Sequence, residues 1–511
     1  MMNYIESELK KLENRSITEN GAVGYKTTES ALVDMNYLVS SFRNRNEDEI
    51  ISYFDKAFNE NKEYALKWLF YARDVRGGLG ERRLFRVCYG RLLDLDVDLF
   101  YKNLHNIQEY GRWDDLVSLI GLSQVTDEYI THIIKLQLGH DLHEMKKGNP
   151  ISLLGKWLPS ENASSKKTKH LAKVIRSYLR LSSRDYRLIL SKLRKYLNVV
   201  EVKMCGNEWE SIDYNSVPSL ANLKYKDAFL RHDNSRRMEY LESVRSGKSK
   251  MNMGVATPVD IVSKYYSNTW GTVSEETDDA LELAWDNLKD VLVEDTLVVA
   301  DGSGSMYNKV NRNSKVQAIH VANALAIYTS EHNSGVYKNK YITFSQKPQF
   351  VNFGEDWSLR MKLQLAREYN EMANTNIEAV FMLILKTAVD NNLSSDEMVK
   401  NILIISDMEF DAAQTMGSWR YRDDICVLSP SLFETINQKY IEHGYKLPKL
   451  VFWNVCSRTG TIPMIENELG VILVSGFSQN ILEMVMSNKC NPYDALIETI
   501  TNERYDKVVV G

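Results

Sequence analysis

The sequence has few cysteines, no long apolar run and no excess of positive charge, and each absence excludes a class of protein. Its five cysteines are scattered and form no C-x-x-C pair, which argues against a disulfide framework or a structural zinc. There is no apolar run of about eighteen residues, so we expect no membrane span. The first residues also lack the basic and apolar pattern of a signal peptide. We therefore expect an intracellular, cytoplasmic protein.

The net charge of −5 implies no global attraction to nucleic acid or to anionic membranes, so any basic surface must be local. The chain of 511 residues is too long for one hydrophobic core, and we expect two or more domains. The pattern of apolar residues changes near residue 290, which predicts one domain over 1–290 and another over 291–511.

The first domain is predicted to be all-α, because apolar residues recur there at steps of three and four. Consecutive helices without strands favour a HEAT-like helical repeat, although no sequence period is visible. The clearest predicted helices in this domain are Glu81–Leu93, Trp113–Ile120, Asp127–Met145, Lys167–Leu181 and Ser183–Leu197.

The second domain alternates short apolar runs with helical stretches. Apolar runs that do not alternate with polar residues indicate strands buried on both faces, which predicts a mostly parallel, doubly wound α/β domain with a Rossmann-like sheet. The predicted strands are Leu297–Ala300, Tyr341–Phe344, Ile402–Ile405, Leu450–Trp453 and Val471–Val474. The predicted helices between and after them are Lys315–Ser330, Leu359–Glu371, Ile377–Val389, Ser431–His443 and Ser478–Met486.

The most informative stretch follows the first of these strands. Asp301-Gly302-Ser303-Gly304-Ser305 places one carboxylate and two hydroxyls in a tight turn. Oxygen ligands at this spacing suit a hard divalent cation such as Mg²⁺ or Mn²⁺. A plain turn is the alternative, since Asp, Gly and Ser are ordinary turn residues. A second acid, Asp407, follows another predicted strand, and strand ends are where such sheets bind ligands.

The Asp-x-Ser-x-Ser signature resembles that of the von Willebrand factor A (vWA) domain with its metal-ion-dependent adhesion site. The resemblance implies that Asp301, Ser303, Ser305, Thr375 and Asp407 hold the cation, directly or through water. Mostly neutral ligands leave the cation an open position for the carboxylate of an acidic partner. Many vWA domains have glycine directly after the last aspartate, whereas this chain has Met408-Glu409.

Three motifs of the first domain carry a second resemblance. They are Y-A-R-D-V-R-G-G-L-G-E-R from Tyr71, Y-G-R-W-D-D-L from Tyr110 and L-G-K-W-L-P from Leu154. Together with a vWA domain they resemble TROVE-type proteins, the class of the Ro autoantigen, and more closely an uncharacterised TROVE-like family of viruses, plants and fungi. The resemblance implies helical repeats that close into a ring and bind non-coding RNA.

Local charge favours RNA binding independently. Twelve Lys or Arg residues and only two acids lie between Lys166 and Lys203, and Tyr178, Tyr186 and Tyr196 are interleaved with them. Basic residues with aromatics suit sequence-tolerant RNA binding, whereas the alternative is a solvated helix face with buried tyrosines. The predicted RNA contacts in this segment are Lys166, Lys167, Lys169, Lys173, Arg176, Arg180, Arg184 and Arg187.

A second basic cluster lies around R-G-G-L-G-E-R-R and consists of Arg73, Arg76, Arg82, Arg83 and Arg86. It lacks the G-K-[ST] ending of a phosphate-binding loop. The predicted RNA contacts among these arginines are Arg73, Arg76 and Arg82. An equally favoured alternative is that the glycines form a turn between helices and that Asp74 and Glu81 pair with the arginines. For Trp113-Asp114-Asp115 we expect packing and helix capping.

No nucleophile, general base or second metal cluster is apparent, so we expect a protein that is not an enzyme. The leading hypothesis is a monomeric, Ro-like RNA-binding protein with a metal-dependent protein contact at the vWA-like site. The alternative is a protein–protein scaffold that acts through the metal site without RNA. A metal-dependent phosphate hydrolase is a weaker third hypothesis.

Overall fold

The computed structural model describes residues 4–266, 272–344, 347–369, 376–411, 431–487 and 489–511. The chain forms two compact units. The sheet unit comprises Met1–Ala65 and Ala256–Asn502, and the helical unit comprises Leu66–Val255 and Glu503–Gly511. The bounds of these compact units differ from those of the predicted domains 1–290 and 291–511, whose division stays a prediction.

The elements up to residue 255 are almost all helical. In chain order they are α1 (Tyr4–Glu13), β1 (Arg15–Ile17), β2 (Val23–Tyr25), α2 (Ala31–Tyr37), α3 (Glu47–Glu60), α4 (Lys62–Arg73), α5 (Arg82–Leu95), α6 (Val97–Asn103), α7 (Ile107–Tyr110), α8 (Trp113–Val117), α9 (Gln124–Lys147), α10 (Leu154–Trp157), α11 (Lys166–Tyr178), α12 (Ser183–Tyr196), α13 (Val200–Cys205), α14 (Ser219–His232) and α15 (Asn234–Arg245).

Strands and helices alternate in the rest of the chain. These elements are α16 (Pro258–Tyr265), α17 (Asp279–Asp286), β3 (Thr296–Asp301), α18 (Ala318–Glu331), β4 (Lys340–Phe344), β5 (Gln349–Asn352), α19 (Leu359–Glu368), α20 (Ile377–Asp390), β6 (Asn401–Ser406), α21 (Leu432–Glu442), β7 (Lys449–Asn454), β8 (Val471–Ser475), α22 (Ile481–Val485) and α23 (Pro492–Ile500).

The main sheet has six strands in the order β5-β4-β3-β6-β7-β8. All neighbours pair in parallel except β5, which is antiparallel to β4 at the edge. In order of appearance this is a 3-2-1-4-5-6 arrangement, so the direction of winding reverses between β3 and β6. Ligands of such sheets bind at that reversal, beyond the carboxyl ends of the strands.

Helix α18 shows why the sheet core forms. Its residues Ala318–Ser330 are buried all round, because one side contacts β3, β4 and β6 and the other contacts α16. The many alanines let the helix lie close to both neighbours. The helix follows the Asp301–Ser305 segment after a loop and contacts the turn at Gly304–Tyr307, so its packing helps to hold that segment against the sheet.

The first 65 residues belong to the sheet unit because they bond to the loops at the carboxyl ends of the strands. Tyr25 bridges Ile462, and Gly21 bridges Asp411. The α2 helix packs on β8 and α23. This segment contains helices as well as the short strands β1 and β2.

In the helical unit, the last residues of the chain pack against α4 and α7. The guanidinium of Arg504 bonds the buried carboxylate of Asp74, and the Tyr505 ring stacks on Tyr110 with centroids 5.5 Å apart. These contacts account for the assignment of residues 503–511 to this unit rather than to the sheet unit.

The five predicted strands are confirmed, each within one residue at either end. The predicted helices are also confirmed as helices, with ends that shift by a few residues. The antiparallel edge strand β5 and helix α23 were not predicted. None of the helices in the described ranges is long and apolar enough to cross a membrane. The chain thus combines a helical region with a mixed α/β sheet.

Candidate metal-binding sheet edge and basic helix face

Two buried aspartates mark the carboxyl edge of the sheet where its winding reverses. Asp301 is the last residue of β3, and Asp407 directly follows β6. Both carboxylates are only 1% exposed. Because β3 and β6 are adjacent parallel strands, their ends bring the two acids to the same place. The two acids therefore lie close together, as the sequence predicts, and their role as cation ligands stays a prediction.

The Asp301–Ser305 segment is folded around its own polar groups. The Ser303 backbone N–H donates to Asp301 Oδ1 at 2.8 Å, and Ser303 Oγ lies 3.0 Å from Ser305 Oγ. The Ser406 hydroxyl, at the end of β6, donates to Asp301 Oδ2 at 2.6 Å. The two hydroxyls and the two carboxylates therefore converge, and the plain-turn alternative does not explain the contribution from β6.

Burial and mutual repulsion make this pair of acids unfavourable in the absence of a cation. Burial first, and then the nearby charge of Asp407, raise the pKa of Asp301 to about 7. Burial also raises the pKa of Asp407, against the opposing effect of Arg458. A divalent cation would neutralise this excess of buried negative charge.

The donor set fits a hard cation: Asp301, Ser303, Ser305 and Asp407 offer only oxygen ligands. Thr375, the fifth predicted ligand, lies outside the described residues. Within the described ranges there is no group of three or more His, Cys, Asp or Glu side chains that could hold a metal ion. A cation at the sheet edge would accordingly depend on the serine hydroxyls as well as on the two acids.

The departure from glycine after the last aspartate has a structural counterpart. Met408 is fully buried and has a φ of 62°, in the left-handed region that a side chain normally avoids. Backbone strain of this kind costs about 1–3 kcal/mol and concentrates at functional sites. The backbone after Asp407 thus adopts a glycine-like conformation without the glycine.

Glu409 lies beside the site and is held on two sides. Its buried carboxylate accepts hydrogen bonds from the backbone N–H groups of Glu19, Arg458 and Thr459 at 2.8, 2.8 and 2.9 Å. The residue fixes the loop after β7 to the amino-terminal segment. Burial first, and the charge of Glu409 in addition, raise the pKa of Asp407, so Glu409 makes the site more anionic as well as orienting the loop.

Sequence reasoning missed Arg458, whose Nη1 lies 2.9 Å from Asp407 Oδ2. It also missed Ser406. Asp301 and Asp407 were located by the rule that ligand residues lie at or just after the carboxyl ends of strands. Ser406 ends β6 and Arg458 lies four residues after the end of β7, so both residues satisfy the same rule. The missing signal was the strand order, which places β7 beside β6.

Helix α11 carries an exposed basic face. Lys166, Lys167, Lys169 and Lys173 are exposed, and among the described residues no carboxylate lies within ion-pair distance of them. Two arginines of the adjacent helix α12 are exposed as well, namely Arg184 and Arg187.

Two of the predicted RNA contacts in this segment are placed differently from the lysines, and their role stays a prediction. Arg176 is half-buried, and its guanidinium bonds Glu161 Oε1 at 2.8 Å and the Leu181 carbonyl at 3.1 Å. Arg180 is exposed but lies beyond the end of α11 with a φ of 55°, so it does not continue the helix face. The basic face is therefore carried by lysines.

The three tyrosines of this segment also differ in exposure. Tyr178 is 36% exposed. Tyr186 is fully buried, and its hydroxyl donates to the Pro159 carbonyl at 2.9 Å; Tyr196 donates to the Asn149 carbonyl at 2.8 Å. Of the three rings, that of Tyr178 is the most exposed, that of Tyr196 is intermediate and that of Tyr186 is buried.

The second basic cluster is mainly structural. Arg73 is 1% exposed and pairs with the buried Asp115 at 2.6 Å, which corrects its prediction as an RNA contact. Arg86 bonds the other oxygen of Asp115 at 2.7 Å. Arg76 and Arg82 are exposed, and their role stays a prediction. The alternative of ion-paired arginines is thus favoured for Arg73, although with a partner other than the predicted one.

The three motifs of the helical unit meet in this network. Asp114 bonds Arg112, whose guanidinium lies 4.0 Å from the centre of the Trp157 ring. A Cβ at Gly155 would lie 2.6 Å from Leu193, so glycine permits the close approach of α10 and α12. Asp115 accepts from the Arg112 backbone N–H at 3.0 Å, which confirms the capping prediction.

Comparisons with known proteins place the two regions in families. Residues 295–507 match the family described as domain of unknown function DUF7788, which includes the sheet edge. Residues 18–137 and 163–296 match domain of unknown function DUF2828, which includes the basic helix. Uncharacterized protein L728 of Acanthamoeba polyphaga mimivirus is 31% identical over 529 residues, covering 96% of this chain and 88% of that protein. The chain therefore belongs to the same family as the mimivirus protein L728, and it combines a DUF2828 region with a DUF7788 region.

Proposed function

We propose that this chain is a TROVE- or Ro-like RNA-binding protein that is not an enzyme, with a HEAT-like helical scaffold and a vWA-like metal site for a protein partner. The exposed lysine face of α11 carries the RNA part of the proposal. The sheet order and the oxygen ligands at its reversal support the vWA resemblance and the metal-ion-dependent adhesion site.

The lysine face suits a polyanion because none of the acids that the structure describes pairs with its lysines. Lys166, Lys169 and Lys173 recur at three- and four-residue steps, so they lie on one side of the helix. Elsewhere in the helical unit, basic side chains pair with acids on the same helix, as Arg91 does with Asp94 and Arg245 with Glu242. Unpaired lysines on a shared face are free to release counterions from a phosphate backbone.

The test is charge reversal of Lys166, Lys169 and Lys173 to Glu, measured as RNA affinity across a salt series. We expect weaker binding and a salt slope smaller by about 2, since each lost phosphate contact on a single strand removes about 0.7. Arg91, Lys147 and Arg245 reversed to Glu form the matched control. Each of them faces an acid three residues away, so the net charge changes equally without loss of the lysine face. Equal effects of the two triple variants would contradict the proposal.

At the sheet edge, Asp301, Ser303, Ser305 and Asp407 would hold the divalent cation. A bound cation supplies a Lewis-acidic position that a partner's carboxylate can complete. The residues themselves orient one another, since Ser303 and Ser406 hold Asp301 and the Asp407 carboxylate lies beside Ser305. The acidic partner would bind only when the cation is present.

The second candidate is a protein–protein scaffold that acts through this metal site without RNA. The buried acid pair favours it, because that feature needs no nucleic acid to explain it. Purification without nuclease separates the two candidates. An absorbance ratio typical of bound nucleic acid, followed by sequencing of that RNA, supports the first. Nucleic-acid-free protein that binds an acidic partner only with Mg²⁺ supports the second.

A further inference from the structure

Arg458 is positioned to control the sheet-edge site. Its Nη1 lies 2.9 Å from Asp407 Oδ2, and its Nε donates to Glu19 Oε2 at 2.6 Å. The Asp407 side chain is 2% exposed and that of Glu19 is 55% exposed. One guanidinium thus joins a buried acid of the site to an acid at the surface.

The backbone around Arg458 is held in place. Glu409 accepts the backbone N–H groups of Arg458 and Thr459, and the Ser457 N–H donates to the Asn454 side chain at 2.7 Å. The guanidinium therefore projects from a fixed loop, and its contact with Asp407 is built into the fold.

This arrangement has an electrostatic consequence for the cation. The positive charge of Arg458 neutralises one of the two acids that would attract a divalent cation. Because Asp407 is buried, little water screens the positive charge of Arg458. That charge therefore repels a cation bound to the same carboxylate. An incoming cation has to share Asp407 with Arg458 or displace it.

We propose that Arg458 is a resident counter-cation that weakens divalent-cation binding at the sheet edge, and that Glu19 opposes it by drawing the guanidinium toward the surface. This inference rests on the proposed metal site and names how the affinity of that site is set. Partner binding at the site then depends on the Glu19–Arg458–Asp407 chain as well as on the ligands.

The test measures Mn²⁺ binding to the full-length protein by calorimetry at fixed ionic strength. Arg458→Gln should tighten Mn²⁺ binding by at least about tenfold, equivalent to about 1.4 kcal/mol. Arg458→Lys keeps the charge and should stay near the wild-type affinity. Glu19→Gln should weaken binding by about threefold, a small effect because exposed ion pairs contribute little.

Lys446→Gln is the matched control, since it removes one positive charge from an exposed pair with Glu468 at the opposite, amino-terminal end of β7. It should leave the Mn²⁺ affinity unchanged. If Arg458→Gln does not tighten binding, or if Lys446→Gln tightens it equally, the inference is overturned. Should Arg458→Gln fail to fold, Glu19→Gln and Arg458→Lys decide the matter: weaker Mn²⁺ binding by Glu19→Gln beside an unchanged affinity of Arg458→Lys supports the inference, and unchanged binding by Glu19→Gln overturns it.

A double variant, Ser303→Ala with Ser305→Ala, separates this inference from the proposed function. Wild-type protein that binds no Mn²⁺, or binds it equally well without the two serines, would overturn the metal site itself. Binding that is lost in the serine variant but unaffected by Arg458→Gln would overturn only the role of Arg458.

Discussion

One buried aspartate in each unit shows a contrast in how its charge is matched. In the helical unit, Asp115 is fully buried and both of its oxygens face arginines, Arg73 at 2.6 Å and Arg86 at 2.7 Å. In the sheet unit, Asp301 is equally buried but receives only hydrogen bonds from Ser303 and Ser406, among the described residues, although its neighbour Asp407 pairs with Arg458. Asp115 is matched by two arginines within the interior, whereas the unmatched Asp301 is the acid that we propose to hold a cation.

The two basic segments of the helical unit differ in how exposed their side chains are. The arginines of the R-G-G-L-G-E-R region looked like a nucleic-acid surface, yet Arg73 is 1% exposed. The lysines of α11 are exposed, and no acid of the described residues pairs with them. Clustered charge in a sequence therefore indicates a binding surface only where the structure leaves that charge unmatched.

The largest expected effect comes from removing the charge of Asp115, which pairs with Arg73 and Arg86. Asp115→Asn removes the negative charge that two guanidinium groups share, and we expect the free energy of unfolding of the helical unit to fall by about 3–5 kcal/mol. Asp94→Asn is the control, because its partner Arg91 is on the surface and such pairs contribute about 0–1 kcal/mol. Chemical denaturation measures both. A loss at Asp115 no greater than at Asp94 would mean that the network is not structural.

The next largest expected effect is stabilisation of the protein by Mg²⁺ at the proposed site. Mg²⁺ at about a hundredfold excess over its dissociation constant should stabilise the wild-type protein by about 2.7 kcal/mol. Ser303→Ala combined with Ser305→Ala should remove that response while leaving the stability in chelator nearly unchanged. Thermal unfolding with and without Mg²⁺ measures it. An Mg²⁺ response that survives the double variant would place the cation elsewhere.

Sequence reasoning succeeded where local pattern determines the outcome. The central strands are apolar over their whole length because both faces are covered, and Asp301 and Asp407 were located by the strands that they follow. Strand β5 was missed because its residues are mostly exposed and an antiparallel edge strand has no apolar run to reveal it.

The failures share one physical cause, which is that pairing across long separations cannot be read locally. Arg73 and Asp115 lie 42 residues apart, and Arg458 and Asp407 lie 51 apart. The amino-terminal segment joins the sheet unit through Tyr25 and Ile462, again far apart in sequence. Knowledge of which charges meet required the fold.

A smaller effect concerns pH. The pKa of Asp301 is raised from 3.8 to about 7, so between those values the native state binds a proton that the unfolded state has released. In metal-free protein this contribution to stability is lost as pH rises through that window. Asp301→Asn should therefore be more stable than wild type at pH 8 in chelator, by at least about 1.4 kcal/mol, the equivalent of one pKa unit. The difference should shrink toward pH 4 and reverse when Mg²⁺ is added.

The smallest expected effect comes from a comparison of the partly exposed Tyr178 with the buried Tyr186. Tyr178→Ala removes a partly exposed aromatic ring at the end of α11, and we expect RNA affinity to fall by about 1 kcal/mol, at the low end of base stacking. Tyr186→Phe deletes a buried hydroxyl and should cost stability without changing RNA affinity, because that ring cannot reach solvent. Filter binding with a short single-stranded RNA measures both variants. If Tyr186→Phe weakened binding more than Tyr178→Ala at equal folded fraction, the contact surface would have to lie on a face other than the one that carries the unpaired lysines.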